Sequence, residues 1–111
     1  MDIKKLIRDK IPEHITKDGK IPRIIKATEG QFAQALRDKL VEEVHEYLEN
    51  NDPQELVDIF EVLLALCDRH SISYAMLEKM RKIKAKKNGE FKKRLILMSV
   101  TDKNDFNNIN K

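Results

Sequence analysis

The chain has 111 residues, 41% hydrophobic and 37% charged, with a net charge of +3. That length predicts one domain over residues 1–100 with a frayed tail over 101–111, and the composition is too charged for a membrane-embedded chain and too apolar for a disordered one. No apolar run approaches the roughly 20 residues of a membrane span, the start Met1-Asp2-Ile3-Lys4-Lys5 has no apolar signal core, and a lone Cys67 excludes an internal disulfide or a Cys-built zinc site. The expectation is a cytoplasmic protein with no membrane partner.

Residues 1–27 look irregular by pattern. They carry Pro12, Pro22 and an Asp18-Gly19 turn signal, and Ile21 to Lys26 has the composition of a short strand. The first long helix should begin at Thr28, which has a capping-box partner in Gln31. Phe32, Leu36, Leu40, Val44, Tyr47 and Leu48 then recur at helical spacing. Asn50-Asn51 ends it.

A second helix should start at Asp52 as N-cap, with Pro53 in the first helical position, and run to Arg69 or His70. From Leu56 through Cys67 it is apolar nearly all round, so it should be buried on several sides and need a second subunit. Ser71 or Ser73 caps a third helix from Tyr74 to Asn88, which Gly89 ends. Arg94 to Val100 reads as a strand, a candidate partner for Arg23 to Ala27. The predicted fold class is therefore all-α, a helical bundle with a short two-stranded β element built from the flanks.

Charge is strongly segregated along the chain. Between Leu40 and Cys67 there is no Lys or Arg, while Glu42, Glu43, Glu46, Glu49, Asp52, Glu55, Asp58 and Glu61 contribute eight negative charges. From Lys79 to Arg94 nine basic residues face only Glu90. One segment suits cations and the other anions, a combination that fits a metal-chelated phosphate.

Glu43 and Glu46 are one helical turn apart, and so are Glu55 and Asp58 on the next helix. A connection this short makes the two helices antiparallel neighbours, so the pairs should meet near the turn. Acids aimed at an apolar interface are costly unless neutralised. Four hard oxygen donors suit Mg²⁺ or Mn²⁺. His45 and Cys67 are read as a surface residue and a packed thiol. The sequence has no phosphate-binding G-x-x-x-x-G-K-[ST] loop, no G-x-G-x-x-G and no H-E-x-x-H.

The run Glu42-Glu43-Val44-His45-Glu46 followed by Glu55-Leu56-Val57-Asp58 resembles the E-E-x-x-E … E-x-x-D signature of the MazG-like, all-α nucleoside triphosphate pyrophosphohydrolases. Lys5-Leu6-Ile7-Arg8-Asp9-Lys10-Ile11-Pro12 resembles the opening, and Lys84 to Phe91 with Arg94-Leu95-Ile96-Leu97 the closing segment, of a phosphoribosyl-ATP-pyrophosphohydrolase-like, house-cleaning branch. The resemblance implies Mg²⁺-dependent cleavage between the α- and β-phosphates of a nucleotide, giving a monophosphate and pyrophosphate. It makes Glu43, Glu46, Glu55 and Asp58 metal ligands, with Glu46 first and Glu42 second as acceptor of the water's proton. Lys84 becomes a phosphate-side lysine. Lys87, Asn88, Arg8 and Lys10 are further phosphate candidates. It also implies a dimer or tetramer.

Three other functions compete with this one. The first is phosphoribosyl-ATP as substrate. The second is a non-catalytic helical dimerisation module. The third is a nucleic-acid-binding module using residues 79–94, against which the acidic stretch argues by repelling a phosphate backbone.

Overall fold

The computed structural model describes residues 4–105. Among the described residues the helices α1 (Ile11–Lys17), α2 (Glu29–Asn50), α3 (Pro53–Arg69) and α4 (Tyr74–Asn88) follow in order, and residues 103–105 are also helical. The described residues are mostly helical and contain no strand, and no helix among them is long and apolar enough to cross a membrane. The chain divides into two compact units, one ending at Leu77 and the other beginning at Glu78.

The helix boundaries are set by local chemistry. Thr28 closes a full capping box, its Oγ1 accepting from the Gln31 N–H at 3.2 Å while Gln31 Oε1 accepts from the Thr28 N–H at 2.9 Å. The end of α2 is made by Asn51 in the left-handed conformation (φ 55°), whose N–H donates to the Tyr47 carbonyl. The next residue, Asp52, caps α3 by accepting from the Gln54 N–H at 3.0 Å. Two residues thus reverse the chain, and α2 and α3 pack on each other as a hairpin.

The two serines after α3 take different roles. Ser71 adopts a left-handed conformation (φ 57°). Its N–H donates to the Asp68 carbonyl and that of Ile72 to the Cys67 carbonyl, closing α3 by a Schellman motif. Ser73 is the cap of α4, accepting from the Met76 N–H at 3.1 Å. Gly89, at φ 87°, ends α4 where a side chain would be strained.

The N-terminal segment differs from its irregular expectation, because two turns of helix form there as α1. Pro12 lies in its first turn, where its fixed φ suits a helix, with Glu13 beside it and Lys17 in the last turn. Gly19, at φ 79°, and Lys20 donate back to Thr16 and Ile15, a second Schellman closure.

The expected β element does not form. Residues 21–27 and 94–100 have no strand or bridge assignment. Their β-branched composition supplies strand propensity, but a strand needs a ladder partner, and these apolar side chains remain open, Ile21 and Ile96 among them. Of the expected tail, residues 101–105 are exposed, and 106–111 lie outside the described residues, as do residues 1–3.

Packing is thin. Among the described residues Leu36 and Val62 are the buried apolar side chains, on facing helices of the hairpin. Phe32, Leu40, Tyr47, Ile59 and Leu66 are half-buried around them. Val44 and Leu48, expected on the covered face of α2, are exposed, as are Leu56, Val57, Phe60 and Leu63 of α3. α2 covers one side of α3, and elsewhere on α3 the Phe60 ring meets Tyr74 edge-on at 5.9 Å while staying partly exposed. Leu36→Ala should therefore cost about 2–5 kcal/mol, as for other buried large-to-small changes, and Thr28→Ala about 1 kcal/mol from the lost cap. Urea unfolding followed by circular dichroism at the helical band checks both values and their order.

Candidate metal centre

The hairpin turn decides what the acids do. Because Asn51 and Asp52 reverse the chain so tightly, the last turns of α2 lie beside the first turns of α3. Glu43, Glu55 and Asp58 each bring one carboxylate oxygen within 4.8 Å of the other two. Glu46 is outside that triad, yet its charge acts on both Glu43 and Glu55. The four acids singled out in sequence thus form one neighbourhood.

Burial separates them. The Glu43 side chain is only 9% exposed, while Glu55 and Asp58 are intermediate. One oxygen each of Glu43 and Glu55, both Oε2, is buried and has no hydrogen-bond partner. A buried carboxylate oxygen without a donor carries its full desolvation cost.

Two cations partly offset these charges. Lys39 Nζ lies 3.3 Å from Glu43 Oε1 and 3.6 Å from Glu42 Oε1. Arg8 Nη2 donates to Asp58 Oδ1 at 2.8 Å. The compensation is incomplete, and the proton affinities show it. Desolvation pushes the Glu43 carboxyl above its ordinary value; the Lys39 hydrogen bond and charge oppose the rise, and the charges of Glu46 and Asp58 add to it. Desolvation is also the first cause raising Glu55, followed by the charges of Glu46, Glu43 and Asp58.

The other sequence candidates fall elsewhere. Glu42 is half-buried against Lys39 and is not part of the triad. Lys10 is exposed at the start of α1. Lys84, Lys87 and Asn88 are exposed on the last turns of α4, in the second unit, whereas the triad belongs wholly to the first. His45 is exposed beside Glu49, at 3.6 Å, and Cys67 is half-buried. A surface hollow lined by Pro12, Glu13, Thr16 and Lys17 runs along α1 and contains none of the acids.

Lys39 is the site residue that the sequence pattern did not single out. Its signal was there, because a lysine three and four residues before Glu42 and Glu43 shares their helix face. The run without lysine or arginine begins at Leu40, directly after it.

The donor set fits a hard divalent cation. It is all carboxylate oxygen, it holds two buried oxygens without donors, and its charge exceeds that of its own lysine and arginine. No protein-family model, curated protein or solved structure matches the chain.

The raised carboxyls fix the sign of the pH dependence. Between the ordinary 4.5 and their raised values, Glu43 and Glu55 hold protons in the folded state that the unfolded chain has released. Stability of the metal-free protein should therefore fall as pH rises through that window. Glu43→Gln removes the charge but keeps the shape, so it should raise the melting temperature at pH 7 and flatten the fall. Thermal unfolding at pH 4.5, 6 and 7.5 in chelator tests both effects.

Proposed function

We propose that the chain is a Mg²⁺-dependent nucleoside triphosphate pyrophosphohydrolase of the all-α type, cleaving between the α- and β-phosphates and clearing non-canonical or surplus nucleotides. The observation that carries this reading is Glu43 Oε2, deeply buried, without a hydrogen-bond partner and grouped with oxygens of Glu55 and Asp58. An acidic patch kept only for solubility would point such oxygens into water. The resemblance of the E-E-x-x-E and E-x-x-D segments supplies the reaction class.

In this reading Glu43, Glu55, Asp58 and Glu46 hold the cation. Bound there, Mg²⁺ would offset phosphate charge and lower the pKa of a water molecule. The chain's own residues divide the remaining work. Glu46 is the first choice to accept the proton of the attacking water, because it adjoins Glu55 without belonging to the triad. Glu42 is the second choice, weakened by its pairing with Lys39. Arg8 is a phosphate candidate bonded directly to one acid of the triad, Asp58. Lys10, Lys84, Lys87 and Asn88 complete the candidates.

The same reading includes a homo-oligomer. Leu56, Phe60 and Leu63 follow one another at helical spacing along α3 and are 48%, 43% and 38% exposed, with Val57 beside them. That stripe is apolar enough to be an interface core. Phe60→Asp should shift the protein to a smaller species in sedimentation or light scattering. An unchanged mass would remove the stripe from the interface.

The reaction is tested by pyrophosphate release from a panel of canonical and damaged nucleoside triphosphates, with phosphoribosyl-ATP included. Release should require Mg²⁺, stop with chelator and fall by at least about a hundredfold in Glu43→Gln, in keeping with loss of charge stabilisation at a reacting phosphate. Mg²⁺ at about 100 times its dissociation constant should also stabilise the wild type by about 2.7 kcal/mol, and Glu43→Gln by much less. No release together with no stabilisation would leave the acids without this chemistry.

A further inference from the structure

The ion pair between Arg8 and Asp58 joins a cation carried by the N-terminal arm, residues 4–20, to one member of the acid triad. Arg8 is fixed to the start of α1 through its carbonyl, which accepts from the Ile11 N–H at 3.1 Å. Leu6, Ile7, Ile11 and Ile15 are half-buried along the arm. Asp58 is held from the arm by this one bond, between side chains 53% and 41% exposed. The pair is therefore open to solvent and to exchange.

We propose that the arm and a divalent cation compete for Asp58, so that cation binding loosens the arm and the docked arm holds cation affinity down. This rests on the triad being a cation site, for which the deeply buried and unpartnered Glu43 Oε2 is the independent observation. The sign follows from charge. A guanidinium and a divalent ion repel each other, and both are drawn to the same carboxylate. Lys39 differs, because it approaches Glu43 from the same helix and carries no separate segment with it. Coupling of this kind is reciprocal: the factor by which Arg8 weakens the cation is the factor by which the cation weakens the docking of Arg8. A half-exposed ion pair sets its size at about three- to fivefold.

The test uses the full chain as wild type, Arg8→Gln and Asp58→Asn, with Mn²⁺ alone as probe. Affinity is read by calorimetry, and arm docking by amide hydrogen exchange over residues 9–20. Arg8→Gln should bind Mn²⁺ about three- to fivefold more tightly than the wild type. Mn²⁺ should speed exchange in the wild-type arm, whereas in Arg8→Gln the arm should already exchange fast and ignore the ion. Asp58→Asn should show the fast arm with no ion present.

Equal or weaker Mn²⁺ binding by Arg8→Gln would overturn the competition and make Arg8 a support for Asp58. An Asp58→Asn arm as slow as the wild type would show that the pair does not hold the arm. No Mn²⁺ binding by any of the three would defeat the cation reading itself. In that case the inference falls with the proposed function, a result distinct from binding with the wrong sign.

Discussion

The constraint on which the rest of the molecule depends is the mutual repulsion of carboxylates gathered at the closed end of one helical hairpin. Asn51 and Asp52 reverse the chain in the space of a turn, and Glu43, Glu55 and Asp58 are brought together as a consequence. Lys39 and Arg8 answer two of these charges. Desolvation first, and the charges of the neighbouring acids after it, raise the proton affinities of Glu43 and Glu55. A fold whose buried apolar side chains are Leu36 and Val62 has little hydrophobic stability with which to offset such a cluster. The same residues that strain the hairpin in the metal-free state are those that would gain most from a cation, and so site and stability are linked through one set of oxygens.

Most of the helical architecture was legible in the sequence because it is written in local chemistry. Thr28 with Gln31, Asp52 with Pro53, and Gly89 each carry their own boundary signal, and each performs that role in the structure. Where a boundary depends on more than local chemistry, the pattern was less informative. Ser71 and Ser73 are alike in composition, and only the backbone turning left-handed at Ser71 separates the end of α3 from the start of α4. The helix α1 was hidden because prolines at 12 and 22 and a glycine at 19 read as loop, although a proline inside the first turn favours a helix. The segments 21–27 and 94–100 misled in the opposite direction, since strand propensity describes a side chain's fit to a pleated surface and supplies no partner strand.

The site was legible to the same degree and for the same reason. Glu43 and Glu46, like Glu55 and Asp58, are spaced to share a helix face, and a short connection folds one pair onto the other. Which of the four enter the triad was not readable, because spacing along each helix does not fix how the two helix faces meet across the hairpin. Arg8 was picked out as a candidate from the flanking segment, but its attachment to Asp58 spans fifty positions of sequence and no periodicity predicts it. Lys39 shows the complementary limit. Its pairing is local and follows the ordinary helix spacing, yet a charge census that stops at the edge of the acidic run treats its neutralising lysine as part of the background.

The exposed apolar stripe of α3 and the buried acids follow from one feature of the hairpin. A helix that is apolar on most of its circumference and has one long helical neighbour keeps part of its apolar surface open. Here the covered side carries Val62 together with the intermediate Glu55 and Asp58, while Leu56, Leu63 and Phe60, the last with its ring against Tyr74, stay partly exposed. Apolar side chains that could have filled the hairpin interior are spent on the outside, and carboxylates occupy positions near the turn that a stability-driven sequence would give to leucine. Burying a charge in place of an apolar group lowers stability, and exposing a stripe of large apolar groups gains nothing until something covers it. Both departures run against the folding of an isolated chain. A cation at the acids and a second subunit on α3 would each remove one of them, and so the two halves of the functional reading answer separate physical costs within the same helix.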